Sequence, residues 1–235
     1  MGFFQDMFSI FKKRELLFLE SRKESEGVYS FLFEKEKDLN WNAGQYGLIS
    51  ITHKKIKNGT KPFSLASAPS ENVVKITTRI GENPSDFKKA LAELKPGMKV
   101  KISGPVGSFY KQDNSPSLWI AGGIGVTPFR SILKQLEAEG SGSEKPIHLL
   151  YLDSKQSFIY KDELEDLASR TSLSLTYLES RDDLNQEIDK FNAKYKNNGK
   201  YLIAGPKSLV DSIAAYLQEH QVSKQNIKKD AFFGY

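Results

Sequence analysis

The chain has no cysteine among its 235 residues. That excludes a disulfide framework, a thiolate zinc site, a thiol nucleophile and a Cys-ligated iron–sulfur cluster within it. Its three histidines, His53, His148 and His220, are far apart in sequence, which argues against a His-rich metal site. No apolar run approaches the ~20 residues of a membrane span. No Gly-x-Ser-x-Gly elbow is present and no His motif accompanies a serine, so a hydrolase has little support. Redox or metal chemistry therefore calls for a bound organic cofactor.

With 39% hydrophobic and 27% charged residues, the composition is that of an ordinary globular protein. The length suits two domains of ~100–120 residues. Charge is uneven between the halves. Residues 1–110 carry 18 Lys+Arg against 12 Asp+Glu, whereas residues 111–235 carry 16 against 17. The basic half is read either as a solvated surface or as a face for an acidic protein partner or a phosphate-bearing ligand. It has no concentrated basic stripe, so nucleic-acid binding is not expected. The polar stretch Lys111-Gln112-Asp113-Asn114-Ser115-Pro116-Ser117 marks a domain boundary. The expected organisation is an N-terminal segment 1–14, a first domain 15–112 and a second domain 113–235.

The halves differ in texture. Glu15–Ser21, Gly27–Phe33, Gln45–Ile51, Val73–Ile80 and Lys99–Ser103 read as short strands separated by Gly, Asn and Pro, which predicts an antiparallel Greek-key β-barrel. One helix interrupts them, opening at Pro84-Ser85 with Ser85 as N-cap and stopping at Lys95-Pro96-Gly97. From Ser117 onward strand and helix alternate. Leu118–Ala121, Ile147–Leu152, Leu173–Leu178 and Tyr201–Ala204 read as strands, and Pro128–Glu139, Lys161–Ser169, Leu184–Tyr195 and a stretch after Pro206 to about Glu219 read as helices. That rhythm predicts an α/β domain, a parallel sheet covered on both faces, with ligands at the carboxyl ends of its strands.

At the N-terminus, Phe3, Phe4, Met7, Phe8 and Phe11 share one helical face, followed by Lys12-Lys13-Arg14. This is too short for a signal peptide, and its basic residues are on the wrong side. Packing on the protein's own body or a second copy is favoured over contact of residues 3–14 with an anionic membrane surface. The expected location is cytoplasmic, with the inner face of the membrane as the alternative.

Three clusters could hold a cofactor. In Lys61-Pro62-Phe63-Ser64, a cation, an aromatic ring and a hydroxyl fall within four residues. Lys61 and Phe63 share a strand face and Ser64 points the other way. The ring can stack on a planar ligand, the hydroxyl can bond its edge and the amine can meet a phosphate. The second cluster, Arg79-Ile80-Gly81-Glu82-Asn83-Pro84-Ser85, leads into a helix N-terminus, which favours an anion or is simply a well-capped helix. The third is Gly122-Gly123-Ile124-Gly125-Val126-Thr127-Pro128, a buried strand running through glycines into a helix. It is similar to a dinucleotide-binding turn, with Pro128 where the last glycine of that motif stands, or else a structural tight turn.

Taken in this order, the three clusters resemble those of the ferredoxin–NADP reductase family in its compact two-domain form, over about Glu15 to Tyr235. Lys61-Pro62-Phe63-Ser64 resembles the Arg-x-Tyr-Ser flavin motif, and Asn42-Ala43-Gly44-Gln45-Tyr46 the Pro-Gly-Gln-Tyr segment before it. Gly81 to Ser85 resembles the pyrophosphate-binding helix start, and Gly122 to Pro128 the nicotinamide-side glycine motif. Ala204-Gly205-Pro206 resembles Cys-Gly-Pro, and Phe233-Gly234-Tyr235 an ending whose aromatic residue covers the flavin. The resemblance implies FAD held by Lys61, Pro62, Phe63, Ser64, Thr77, Thr78, Arg79, Gly81, Pro84, Ser85 and Tyr235. Ser64 would bond flavin N5, and Tyr235 would shield the ring and yield to nicotinamide. It implies NADPH, or NADH, held by Gly122, Gly123, Ile124, Gly125, Thr127, Pro128, Gly205 and Pro206, with Ser180 and Arg181 at the 2′-phosphate. Electrons would pass to an external acceptor of ferredoxin, flavodoxin or other type. An acidic acceptor docking near Lys54, Lys55, Lys57 and Lys61 is the form the charge asymmetry suggests. A flavin reductase using flavin as substrate, and a non-catalytic redox-sensing nucleotide-binding subunit, are the alternatives.

Overall fold

The computed structural model describes residues 12–110, 115–140 and 146–232. Phe3, Phe4, Met7, Phe8, Phe11 and the ending Phe233-Gly234-Tyr235 lie outside them. The chain divides into two compact units, Met1–Tyr110 and Lys111–Tyr235.

The first unit holds strands β1 (Lys13–Ser25), β2 (Val28–Glu34), β3 (Tyr46–Ile51), β4 (Thr60–Ser64), β5 (Val73–Arg79) and β6 (Lys99–Val106), with helix α1 (Asp86–Ala92) between the last two. They form one antiparallel sheet in the order β4-β3-β6-β1-β2-β5. β1 begins at Lys13, inside the 1–14 segment that the sequence set apart. Beyond β4 the chain turns onto the opposite edge. The Ala66 N–H donates to the Lys75 carbonyl at 2.8 Å, and the Lys75 N–H to Ser67 Oγ at 2.9 Å. That contact brings the two edge strands together and gives the sheet its barrel-like form. Leu16, Phe18, Phe31, Phe33, Ile49, Ile76 and Ile102 fill the interior. α1 adds Phe87 and Leu91 to this core. Ser85 caps it by accepting from the Lys88 N–H at 3.4 Å, and Gly97, at φ +90°, turns the chain back into β6.

The second unit holds β7 (Ser117–Gly122), α2 (Val126–Ala138), β8 (Ile147–Leu152), α3 (Lys161–Arg170), β9 (Leu173–Leu178), α4 (Arg181–Tyr195), β10 (Lys200–Pro206), α5 (Lys207–Glu219) and β11 (Ile227–Phe232). The sheet is parallel throughout, in the order β11-β10-β7-β8-β9. Alternation along β7 separates the faces. Leu118 and Ile120 pack with Leu184 and Ile188 of α4 and Val210 and Ile213 of α5, while the Trp119 ring stacks on Phe129 of α2 at 5.3 Å.

Three details differ from the sequence reading. α2 begins at Val126 rather than at Pro128, after a single 3₁₀ turn, Gly123–Gly125. α4 begins at Arg181, ahead of its first apolar residue Leu184, because Ser180 caps it and Asp182 and Asp183 suit the positive end of a helix. β11 gave no sequence signal. It is an edge strand carrying Lys228, Lys229 and Asp230, which blunts both its alternation and its capacity to recruit another chain. No helix among the described residues is long and apolar enough to cross a membrane.

Candidate functional site

In the second unit β7 lies between β8, to which the chain proceeds directly, and β10, to which it crosses back after β9. The carboxyl ends of β7 and β10 therefore flank the point where the strand order reverses, the usual ligand position of an open parallel sheet. Two of the glycine motifs meet there. A Cβ on Gly125 would overlap the Ala204 carbonyl oxygen and lie 2.6 Å from its carbon and 2.7 Å from Gly205 Cα. A Cβ on Gly205, whose φ is +148°, would lie 3.0 Å from the Gly122 oxygen. A Cβ on Gly122 would lie 3.3 Å from Pro206 Cδ. These glycines let two backbone turns touch, which is a packing function in addition to any approach by a ligand. Gly123 differs: its φ is +53°, and a Cβ there would meet only Asp153 Oδ2, 3.7 Å away.

Ile124 and Thr127 are buried in this turn, and Thr127 Oγ1 donates to the Ile124 carbonyl at 3.0 Å. Pro128 sits in the first turn of α2, where a missing N–H is tolerated. The Ser180 hydroxyl accepts from the Asp183 N–H at 3.1 Å and donates to its carboxylate at 2.6 Å. Arg181 Nη1 donates to Ser212 Oγ at 3.3 Å, and both line an open groove of about 580 Å³ with Asn185, Tyr216 and Glu219.

Sequence reasoning missed the support behind the β7–α2 turn. Arg130 of α2, 3% exposed, meets the two carboxylate oxygens of Glu163 of α3 at 2.8 and 2.7 Å. Its guanidinium also lies 5.2 Å from the ring of Tyr160, which sits at φ +60°, a conformation an aromatic residue rarely adopts. The same loop is held by the Ile159 N–H donating to Tyr151 Oη at 3.2 Å and by Phe158 packed on Tyr177 at 4.7 Å. Burial pushes the Tyr151 and Tyr177 hydroxyls above the ordinary tyrosine range, so both stay protonated at neutral pH. A 3.6-residue pattern marks where Arg130 falls on α2 but carries no sign of its partner.

In the first unit, β4 pairs with β3 so that Lys61 faces Ile49, Phe63 faces Gly47 and Ser64 faces Tyr46. Pro62 is tolerated because β4 is an edge strand. The partly exposed Phe63 ring stacks on Phe87 of α1 at 5.7 Å and 26°. Lys61 is exposed and Ser64 half-buried. On β5, Thr77 and Thr78 are buried, and the Thr77 hydroxyl shares a 2.7 Å hydrogen bond with Ser30 of β2. Arg79 ends the strand, half-buried. The space beside Gly81 is open, and Pro84 leads into the Ser85 cap. Of the four lysines expected to form a basic face, Lys54 is held by Glu93, at 2.8 and 2.6 Å, and the exposed Lys55, Lys57 and Lys61 remain on it. An aromatic ring backed by a second ring, a neighbouring hydroxyl, and half-buried cations at the end of β5 and in α1 fit a planar ring system carrying phosphate.

The architecture these features define is a barrel-like antiparallel unit followed in sequence by a parallel α/β unit. Residues 119–214 match the model of the oxidoreductase NAD-binding domain. The chain is 32% identical over 137 residues to the ferredoxin–NAD(P)+ reductase component of the naphthalene 1,2-dioxygenase/salicylate 5-hydroxylase systems of a Ralstonia species. That match covers 57% of this chain and 40% of the relative. It is 26% identical over 204 residues to the electron transfer component of the toluate 1,2-dioxygenase of Pseudomonas putida, covering 80% of this chain and 58% of that one. The chain thus spans about half the length of the curated relatives it matches. The crystal structure of a ferredoxin NADP+ reductase from Neisseria gonorrhoeae with bound FAD and NADP superposes with a TM-score of 0.79 at 15% identity. It covers 94% of this chain and 99% of that one, and shows the shared fold.

Proposed function

We propose that this chain is an FAD-dependent reductase that takes hydride from NADPH or NADH and passes electrons to an external acceptor of ferredoxin, flavodoxin or other type. The observation that carries the reading is the glycine turn after β7. It lies at the reversal point of a parallel sheet, inside the segment that matches an oxidoreductase NAD-binding domain.

Bound FAD would supply the hydride acceptor and the means of releasing electrons one at a time. The residues of the chain bind and orient. Phe63, supported from behind by Phe87, offers a ring surface to the isoalloxazine. Ser64 offers a hydroxyl to flavin N5. Lys61 and Arg79 neutralise phosphate charge, Thr77 and Thr78 form the wall of β5, and Gly81, Pro84 and Ser85 supply the backbone of the approach to α1. In the second unit Gly122, Gly123, Ile124, Gly125, Thr127 and Pro128 form the turn that receives the nicotinamide nucleotide, with Gly205 and Pro206 against it. Tyr235, outside the described residues, is the proposed shield of the flavin.

NADPH is favoured over NADH because Arg181, at the start of α4, carries a planar fork suited to a 2′-phosphate and lines an open groove. Arg181→Ala is expected to raise the KM for NADPH about tenfold, the loss of one charge-assisted contact, and to leave that for NADH unchanged. Steady-state kinetics with a small dye acceptor measures both. An equal effect on the two coenzymes would remove Arg181 from the phosphate site.

A further inference from the structure

The chain has two Asn-Gly pairs, Asn58-Gly59 in the loop between β3 and β4 and Asn198-Gly199 in the turn before β10. A glycine after asparagine carries no Cβ to block its backbone nitrogen, so that nitrogen can reach the side-chain carbonyl carbon once the backbone between the two rotates. The fold treats the pairs differently. Gly199 is buried, its N–H donates to the Lys196 carbonyl at 3.2 Å, and a Cβ there would lie 2.7 Å from Phe191 Cε1. Its nitrogen is held by a hydrogen bond and by packing. Asn58 is exposed at φ +56°, a conformation that Asn tolerates, and Gly59 is half-buried. Among the described residues, neither the Asn58 side chain nor the peptide group joining it to Gly59 has a hydrogen-bond partner. The rotation therefore breaks none there.

The charge around the first pair acts in the same direction. No Asp or Glu occurs between Asp38 and Glu71, and Lys55, Lys57 and Lys61 are exposed within three residues of Asn58. Attack requires the Gly59 nitrogen to lose its proton, and the carbon attacked then carries an oxyanion. Neighbouring cations stabilise both negative charges.

We propose that Asn58 is a site of spontaneous deamidation in the folded protein. The Gly59 nitrogen gives its proton to solvent and bonds to Asn58 Cγ. The Cγ–Nδ2 bond breaks, Nδ2 takes a proton from solvent and leaves as ammonia, and a succinimide ring remains. Water then opens the ring at either carbonyl, giving aspartate or isoaspartate. The product places a carboxylate among the loop lysines and lowers the formal net charge of +5 by one. The isoaspartyl form also adds a backbone methylene two residues ahead of β4. This chemistry stands independently of the proposed redox activity.

The test incubates the folded full-length protein in isotopically labelled water and maps the Asn58 and Asn198 peptides by mass spectrometry over time, with digestion in ordinary water. Asn58 is expected to gain labelled oxygen, as separable aspartate and isoaspartate peptides, about tenfold faster than Asn198, the factor that one opposing hydrogen bond is worth. In urea, which unfolds both segments, the two sites should convert at similar rates. Replacing Lys55 and Lys57 together by Gln should slow Asn58 in the folded protein about twofold, and high salt should do the same by screening the lysines. Asn198 converting as fast as Asn58 in the folded protein, or an Asn58 amide that stays intact while the unfolded chain converts, would overturn the proposal. An Asn58 rate unchanged by the double Lys→Gln variant and by salt would overturn the part assigned to the lysines.

Discussion

Gly125→Ala is expected to destabilise the second unit by about 3 kcal/mol or more, beyond the usual range of a single methyl addition. The added carbon would overlap the Ala204 carbonyl oxygen and sit 2.6 Å from its carbon. The obstacle is backbone in the interior of the sheet, with Ala204 fully buried, so no flexible side-chain end can swing away. Relief requires α2 to shift relative to β10, which would open the turn proposed to receive the coenzyme. Chemical denaturation should show the loss of stability, and the KM for either coenzyme should rise in protein that still folds. Gly81→Ala is the control: nothing lies within 4 Å of its added carbon, so its stability should change by no more than about 0.5 kcal/mol. Equal stability of the two variants would contradict the interlocked turns.

Glu163→Ala is expected to destabilise the second unit by about 1–3 kcal/mol, the cost of taking from the buried Arg130 guanidinium a carboxylate that accepts two charge-assisted hydrogen bonds. Arg130 is 3% exposed and meets both carboxylate oxygens, so water cannot readily replace them. The double change Arg130→Met with Glu163→Leu removes both charges and should recover most of the loss, since a buried pair and a well-packed apolar pair are of similar stability. A double variant as unstable as Glu163→Ala would mean that packing, and not the lost ion pair, sets the effect. The pair also couples α2 to the loop before α3 through Tyr160, whose φ of +60° needs surrounding contacts to hold it. The single variant should therefore also loosen the Asp153–Tyr160 loop, visible as faster amide exchange there.

Much of this architecture was legible in the chain. Leu118–Ala121, Ile147–Leu152 and Tyr201–Ala204 are apolar runs too short for helices, and each is a sheet strand whose neighbours bury it on both faces. Ser85 announced its helix because a cap is a local interaction, complete within four residues. What stayed hidden is non-local. Nothing near Gly125 indicates that Ala204 will lie against it, and nothing near Arg130 names Glu163. A strand at a sheet edge, such as Ile227–Phe232, keeps charges that erase its alternation. Ser180-Arg181 lies ahead of the apolar pattern that opens at Leu184 and is nonetheless the helix start, because the capping geometry there depends on Asp183 turning back onto Ser180.

The most direct test of the central claim is an anaerobic titration of the FAD-loaded protein with NADPH and, separately, with NADH, following the visible flavin absorption. The expected result is loss of the oxidised flavin band at about one equivalent of nicotinamide nucleotide, the stoichiometry of a single hydride transfer, with NADPH effective at the lower concentration. A flavin band that survives excess NADPH and NADH would contradict the claim that the chain transfers hydride to flavin.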